Sequence, residues 1–182
     1  MEYLTFSTSF GKITIIWKGK EPDIQLQRIF LSDPTHISEK KAKESFVTIN
    51  SGYSSLIESL ADKIQRFLIG EDIEFDLKLL DFNICSETQK KVLKAEYGIP
   101  RGWVSTYKRI AAYIGKPNGA RVVGNSLAKN PFPIVIPCHR AIKSNGEVGG
   151  YQGGLKMKKM LLEMEGVKIS ANGKANTEKI YY

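Results

Sequence analysis

Residues 105–131 read STYKRIAAYIGKPNGARVVGNSLAKNP, and this stretch decides the architecture of the second half of the chain. Ser105 or Thr106 can cap a helix carrying Tyr107, Ile110, Ala111 and Ile114, which Gly115 and Pro117 stop. Ala120 opens a further helix, ended by Asn130-Pro131 because proline lacks an amide donor and restricts the residue before it. Helix, short Gly/Pro turn, helix is the outline of a helix-turn-helix, an outline that other helical hairpins share. Ala120, Gly124 and Ala128 fall four apart, so the second helix carries a face of small side chains. That face suits close approach to a nucleic acid or packing against the preceding helix, and both readings stand.

Working outward, Ser86-Glu87-Thr88-Gln89 has capping-box spacing and opens a helix with Val92, Leu93 and Tyr97, closed by Gly98 and Pro100. A last helix runs from Leu155 to Glu165 with Met157, Met160, Leu161 and Met164 on its apolar face and Gly166 as cap. Towards the N-terminus, residues 3–10 alternate at period two, Gly11-Lys12 turns the chain, and residues 13–17 and 24–31 complete three strands. A polar connection over 32–52 precedes a helix marked by Leu56, Ile57, Leu60, Ile64, Phe67 and Leu68 and stopped by Gly70; residues 73–79 alternate again as a strand. The expected fold is therefore α/β plus all-α. A small N-terminal α/β scaffold domain (1–80) precedes a mostly helical domain with the helix-turn-helix (81–168), and residues 169–182 form a flexible tail.

Composition narrows the function classes. The chain has 182 residues, 42% hydrophobic and 25% charged, which excludes a disordered, collagen-like or disulfide-framework protein. No apolar run approaches the ~18 residues of a membrane span, and no leader pattern follows Met1-Glu2. Cys85 and Cys138 lie 53 residues apart in no zinc or redox spacing, as in a reducing compartment, so a cytoplasmic protein is expected. Residues 1–84 carry 10 Lys+Arg and 13 Asp+Glu, net −3; residues 85–182 carry 17 and 6, net +11; together they give the chain's +8. A basic C-terminal half fits a polyanionic partner, nucleic acid above all, or equally a lysine-rich surface with no partner.

The chemistry gathers in residues 130–140, Asn-Pro-Phe-Pro-Ile-Val-Ile-Pro-Cys-His-Arg. An apolar extended run delivers Cys138 beside one of only two histidines, then beside Arg140. A buried cysteine alone is usually an inert small hydrophobe; a basic pair next to it favours the thiolate and lowers its pKa. Neighbours on a strand face opposite sides, so His139 needs a bridging water or a bend to act on Cys138. Downstream, Gly149-Gly150-Tyr151-Gln152-Gly153-Gly154 is either a flexible hairpin or a loop that wraps a flat ligand.

From about Gln89 to Gly166 the chain resembles, without a gap, the O6-alkylguanine-DNA alkyltransferases. The resemblance rests on Pro137-Cys138-His139-Arg140 after Asn130-Pro131, then Gly150-Tyr151-Gln152-Gly153-Gly154-Leu155, then a helix ending Glu165-Gly166. It implies DNA repair without a cofactor: single-turnover transfer of an alkyl group from O6-alkylguanine, and from O4-alkylthymine, to Cys138 of a monomer bound in the minor groove of double-stranded DNA. Such a protein would sit at the nucleoid and at no membrane. It makes Cys138 the acceptor, His139 a water-mediated base oriented by Glu165, and Asn130 the hinge between the helix-turn-helix and the active-site strand. Tyr107 would donate a proton to the departing guanine, Lys158 would lie near the site, and Arg121 would replace the flipped base in the stack. Further DNA contacts would come from Thr106, Ala120, Gly124, Asn125 and Leu127. The base pocket would be formed by Pro133, Ala141, Tyr151, Gln152 and Gly153, with the Cys138 and Ala141 carbonyls reading the exocyclic amine.

Thr88, Asn125 and Ala128 depart from the family's usual residues, which bears on DNA affinity rather than chemistry. No zinc set is recognisable around Cys85 or His36. Two rival readings are a lesion-binding relative without the reactive cysteine, against which Cys138 argues, and a Cys-His hydrolase, which would leave the basic helix-turn-helix without a task.

Overall fold

The computed structural model describes residues 1–182. Period-two alternation near the N-terminus produces the antiparallel strands β1 (Glu2–Thr8), β2 (Gly11–Lys18) and β3 (Gln25–Leu31). After them come α1 (Ser38–Ser45), the short β4 (Asn50–Ser51) parallel to β1, and α2 (Ser55–Leu68), for a sheet order of β3-β2-β1-β4. β2 is central and buried from Ile13 to Trp17. Ile16 packs with Phe30 and with Ala42 of α1, while α2 buries Ile57, Leu60, Ile64 and Phe67.

Two elements here differ from the sequence expectation. Within the polar connection, α1 forms with only Ser38 and Ala42 buried, too narrow an apolar stripe to leave a helical period. The alternating stretch 73–79 makes no strand: Asp76 Oδ1 accepts from Lys78 N at 2.9 Å and closes a 3-10 turn over Leu77–Leu79. Local capping by an aspartate competes successfully with sheet pairing there.

The second half contains α3 (Glu87–Tyr97), β5 (Ser105–Thr106), α4 (Tyr107–Tyr113), α5 (Ala120–Ala128), β6 (Ala141–Ile142) and α6 (Gly154–Met164). Ser86 Oγ caps α3 by accepting from Gln89 N. The Gln89 side chain does not return to complete the capping box. It donates to the carbonyls of Ser126 and Lys129, each at 3.1 Å, and so fastens α3 to the end of α5, where helix carbonyls lack intrahelical donors. α4 and α5 pack as the helix-turn-helix, with Gly115 at φ +76 in the turn. β5 and β6 pair in parallel, which sets the start of α4 beside the residues that follow Arg140.

The chain divides into two units, Met1–Ile84 with Pro131–Val135, and Cys85–Asn130 with Ile136–Tyr182. The run before Cys138 is therefore not the extended strand its apolarity predicts. Pro131, Pro133 and Pro137 cannot donate to a ladder, Ile134 takes φ +75, and Pro131–Val135 groups with the first unit, its Pro131 carbonyl accepting from Ile29 N at 2.8 Å. No helix is long and apolar enough to cross a membrane.

The expected flexible tail is packed. Val104 exchanges backbone hydrogen bonds with Lys179 and Tyr181, each 3.0 Å or shorter; Ser105 Oγ donates to the Tyr181 carbonyl. Ala175 is buried with Val104, Ile142, Val148 and Leu162, and Tyr182 stacks on Tyr113. Its polar composition hid these contacts, which are mostly made by backbone and by two terminal tyrosines. Deleting Ile180–Tyr182 should lower unfolding free energy by about 2–4 kcal/mol, the sum of a few hydrogen bonds and one aromatic pair. Urea denaturation checks this; an unchanged midpoint is what a loose tail would give.

Candidate active site

Cys138 opens a single 3-10 turn, Cys138–Arg140, rather than ending a strand. Cys138 and His139 therefore do not alternate across a strand, and the bend that His139 needs is supplied by the turn. Cys138 is 5% exposed and forms part of a cavity of about 280 Å³ lined also by Tyr107, Gly124, Leu127, Ala128, Gly150, Tyr151 and Gln152. That volume is near the lower end of small-molecule sites, which run from about 300 Å³ upward.

Next to Cys138 in the chain begins a buried ionic group. His139 Nε2 and Glu165 Oε1 are 3.0 Å apart. Arg140 donates from Nε to Oε2 at 2.9 Å, from Nη2 to Oε1 at 2.8 Å, and from Nη1 to the Ile99 carbonyl at 2.6 Å. Glu165 is the residue at the C-terminal cap of α6, a position usually solvated, yet here it is buried. Burial would raise its carboxyl; His139 and Arg140 outweigh burial and hold it well below the usual carboxylate range. Burial lowers the pKa of His139, with Arg140 and Lys158 acting in the same direction and Glu165 opposing. With Nε2 turned to the carboxylate, a neutral imidazole carries its lone pair on Nδ1 and can take up a proton there.

The thiol corrects a sequence expectation. The basic neighbours do not lower its pKa: burial pushes it up to about 12, with Glu96 adding and with an Asn130 side-chain hydrogen bond and Lys158 opposing. Arg140 is committed to Glu165 and Ile99, which is why its adjacency in sequence does not reach the sulfur.

Asn130 joins three pieces of the site. Its Nδ2 donates to the Ile136 carbonyl at 3.1 Å, its N–H meets the Leu127 carbonyl, and its own carbonyl accepts from Gln152 Nε2 at 2.7 Å. Lys158 is completely buried and donates from Nζ to the Ala141 carbonyl at 2.6 Å and to the Gly150 carbonyl at 3.3 Å. The Ala141 carbonyl thus already serves Lys158, and Ala141 lies buried behind the cavity instead of lining it. Pro133 is buried in the 131–135 segment and Gly153 is the buried cap of α6, so neither lines the cavity. Tyr107 does line it; burial raises its pKa to about 12. Gly149 sits at φ +75 where any Cβ would come within 2.8 Å of the Tyr107 hydroxyl.

On the helix-turn-helix, Arg121 and Asn125 are exposed and Ala120 is half-buried. Nothing lies within 4 Å of a Cβ built on Gly124, so the small face is not packed against α4. Leu127 turns inward as cavity wall at 5% exposure, and Thr106 is buried as the cap of α4, its Oγ1 accepting from Arg109 N at 3.1 Å. Both are therefore placed away from an outer contact surface.

Two features escaped the sequence reading. Glu96 is fully buried in α3, and on α6 the buried set is Met157, Lys158, Leu161 and Leu162 while Met160 is 42% exposed. The signal existed: Glu96 lies four residues after Val92 and three after Leu93, on the apolar face. Burial pushes Glu96 up to about 8 against the pull of Lys158 and Arg140, and brings Lys158 down to about 8 against the pull of Cys138 and Glu96.

A buried cysteine at a cavity, with a histidine–carboxylate pair behind it and a helix-turn-helix beside it, defines a class of thiol-centred DNA-acting proteins. The profile described as 6-O-methylguanine DNA methyltransferase, DNA binding domain, matches residues 87–167. The methylated-DNA–protein-cysteine methyltransferase of Methanothermobacter thermautotrophicus is 51% identical over 113 residues, covering 62% of this chain and 63%, under two thirds, of that protein. Its counterpart from Mycolicibacterium paratuberculosis is 34% identical over 165 residues, 91% of this chain and 92% of the other. A crystal structure of Mycobacterium tuberculosis OGT in complex with DNA superposes with a TM-score of 0.71 at 31% identity, covering 91% and 92% of the two chains. On this similarity, the chain belongs to the methylated-DNA–protein-cysteine methyltransferase family.

Glu165→Gln should cost about 3–5 kcal/mol of stability near neutral pH, because it leaves buried Arg140 without its counter-charge. The sign with pH follows from a depressed folded-state pKa. The stabilisation is complete above the ordinary carboxylate value of 4.5 and is lost as pH falls below it. Urea midpoints of parent and variant should therefore converge in acid; a constant gap would remove the ionised carboxylate from the account.

Proposed function

We propose that this protein repairs O6-alkylguanine, and O4-alkylthymine, in double-stranded DNA by moving the alkyl group once and irreversibly to Cys138. The observation that carries this reading is the placement of the Cys138 thiol at the cavity, backed by the 3.0 Å His139–Glu165 contact.

A base in a duplex cannot present its O6 substituent to a buried thiol, so it must be turned out of the stack, at a cost of a few kcal/mol. The exposed Arg121 takes the vacated place, and the small face of Ala120, Gly124 and Ala128, with Asn125 beside it, lets α5 approach the minor groove. Minor-groove readout is degenerate, which suits a protein that must find lesions in any sequence. Once the base is in the cavity, His139 takes the thiol proton through a water while the sulfur attacks the alkyl carbon. The carbon–O6 bond breaks as the carbon–sulfur bond forms. Tyr107 gives a proton to the departing guanine, so that the hydrogen once on sulfur is balanced by the one gained by the base. A thioether has no leaving group that water can displace in this site, so each molecule acts once. A monomer suffices, since every group in the scheme comes from one chain, and the cytoplasm at the nucleoid is its expected location.

Protein incubated with excess O6-methylguanine duplex should gain one methyl mass on Cys138, and Cys138→Ser should gain none. Peptide mass spectrometry decides this; label on Cys85 or catalytic turnover overturns the reading, and tight lesion binding without mass gain would favour a lesion-binding role. Arg121→Ala should slow transfer from duplex DNA at least about tenfold, the effect of losing 1.4 kcal/mol or more of stack replacement. Transfer from free O6-benzylguanine should change little, because no stack is opened; equal losses on both substrates would place Arg121 in the fold or cavity instead.

A further inference from the structure

α5 ends where the chain runs into Asn130-Pro131-Phe132-Pro133. In a continuing helix the carbonyls of Leu127 and Lys129 would accept from residues 131 and 133, and both are prolines without an N–H. The Asn130 N–H turns to the Leu127 carbonyl at 3.1 Å, which leaves its helical acceptor, the Ser126 carbonyl, to another donor. Side chains supply what the backbone cannot. Gln89 of α3 uses its amide nitrogen on both Ser126 and Lys129, at 3.1 Å each. From the glycine-rich loop, Gln152 Nε2 donates to the Asn130 carbonyl at 2.7 Å. What is held there is one wall of the thiol's cavity. Gly124, Leu127 and Ala128 line it from α5, and Gly150, Tyr151 and Gln152 line it from the loop. The Gln152–Asn130 bond therefore ties the two walls together, and Gln89 fixes the helix from which one of them is built. Packing alone holds this helix weakly: of its nine residues only Val123 and Leu127 are buried.

We propose that Gln89 and Gln152 are positioning residues that clamp the end of α5 and through it set the width of the Cys138 cavity. A primary amide suits the task, because one neutral nitrogen offers two hydrogens and satisfies a pair of carbonyls without burying a charge. Removing the Gln89 donors leaves the Ser126 and Lys129 carbonyls to water, and α5 is then free to drift from α3. Removing the Gln152 donor releases the loop from Asn130, and the two walls part. The width of the cavity is independent of the repair function proposed above; the consequence for alkyl transfer rests on it.

The test uses the full chain and the variants Gln89→Met and Gln152→Met, which keep the side-chain length and remove the donors. Gln89→Ala and Gln152→Ala take their place should either fold poorly. Cys138 is labelled with iodoacetamide and with the bulkier N-phenylmaleimide, and peptide mass spectrometry separates its label from that on Cys85. Both reagents need the thiolate, so the ratio of their rates cancels the acidity of the thiol and reports the room around it. Each variant should raise the bulky-to-small ratio at least about threefold over the parent, the scale of one net hydrogen bond. The rise should be present without urea and stay level at low urea, since only labelling through unfolding climbs with denaturant. The limiting rate of transfer from O6-methylguanine duplex should fall about fivefold in Gln89→Met. The half-saturating DNA concentration should change less than about twofold, because Arg121 and Asn125 are unaltered. An unchanged labelling ratio, a ratio that rises only with urea, or a half-saturation shift with an unchanged limiting rate overturns the proposal. A parent that never alkylates Cys138 would refute the repair reading instead, and the labelling ratio would still decide the clamp.

Discussion

A carboxylate removed from water must be surrounded by donors or it will not remain ionised. Glu165 meets that demand with three nitrogen–oxygen contacts from one turn: His139 on one oxygen, and Arg140 bridging both. Because Arg140 also reaches the Ile99 carbonyl, the end of α6, the Cys138–Arg140 turn and the segment after α3 are tied to one charge. The orientation of the imidazole, and with it the face that His139 can offer to the thiol, follows from that anchor. A solvated glutamate at the same point of the chain would leave the turn without a reason to hold its shape.

The thiol itself is kept quiet by the same burial. With its pKa up to about 12, Cys138 is overwhelmingly a thiol in the unliganded protein, and oxidation or stray alkylation requires a thiolate. Under the repair function proposed above, reactivity comes from His139 when a substrate fills the cavity, not from a standing negative charge on sulfur. A protein that reacts once, as proposed above, gains from such a division between storage and action.

Much of this was legible in the sequence. Strands β1 to β3, α2 and the helix-turn-helix announced themselves through period and punctuation, as did Ser86 as a cap. The cluster of Cys138, His139 and Glu165 came from motif and resemblance, since nothing in the local pattern separates an inward Glu165 from a surface one. Where pattern reading failed, a competing local interaction had won. Proline chemistry and an Ile134 at positive φ broke the apolar run before Cys138, Asp76 turned an alternating stretch into a 3-10 turn, and backbone pairing with Val104 drew in a polar tail. Glu96 was passed over because charged residues are assumed to face water, although its helical position pointed inward, and Lys158 entered through the resemblance alone.

Residues 131–135 carry a consequence for how the chain can be made or cut. The five residues group with the first 84, while the residues on either side of them belong to the other unit. A fragment beginning at Cys85 would hold the entire thiol-bearing half and yet release Phe132, Ile134 and Val135, all essentially buried in the intact chain, with Pro131 deprived of its Ile29 donor. Such an excised piece would present a proline-rich apolar loop to solvent directly ahead of Cys138, a site for aggregation and proteolysis. The order of synthesis works in the opposite direction: the sheet emerges from the ribosome first, and its surface is ready to receive this loop before Cys138 has been added.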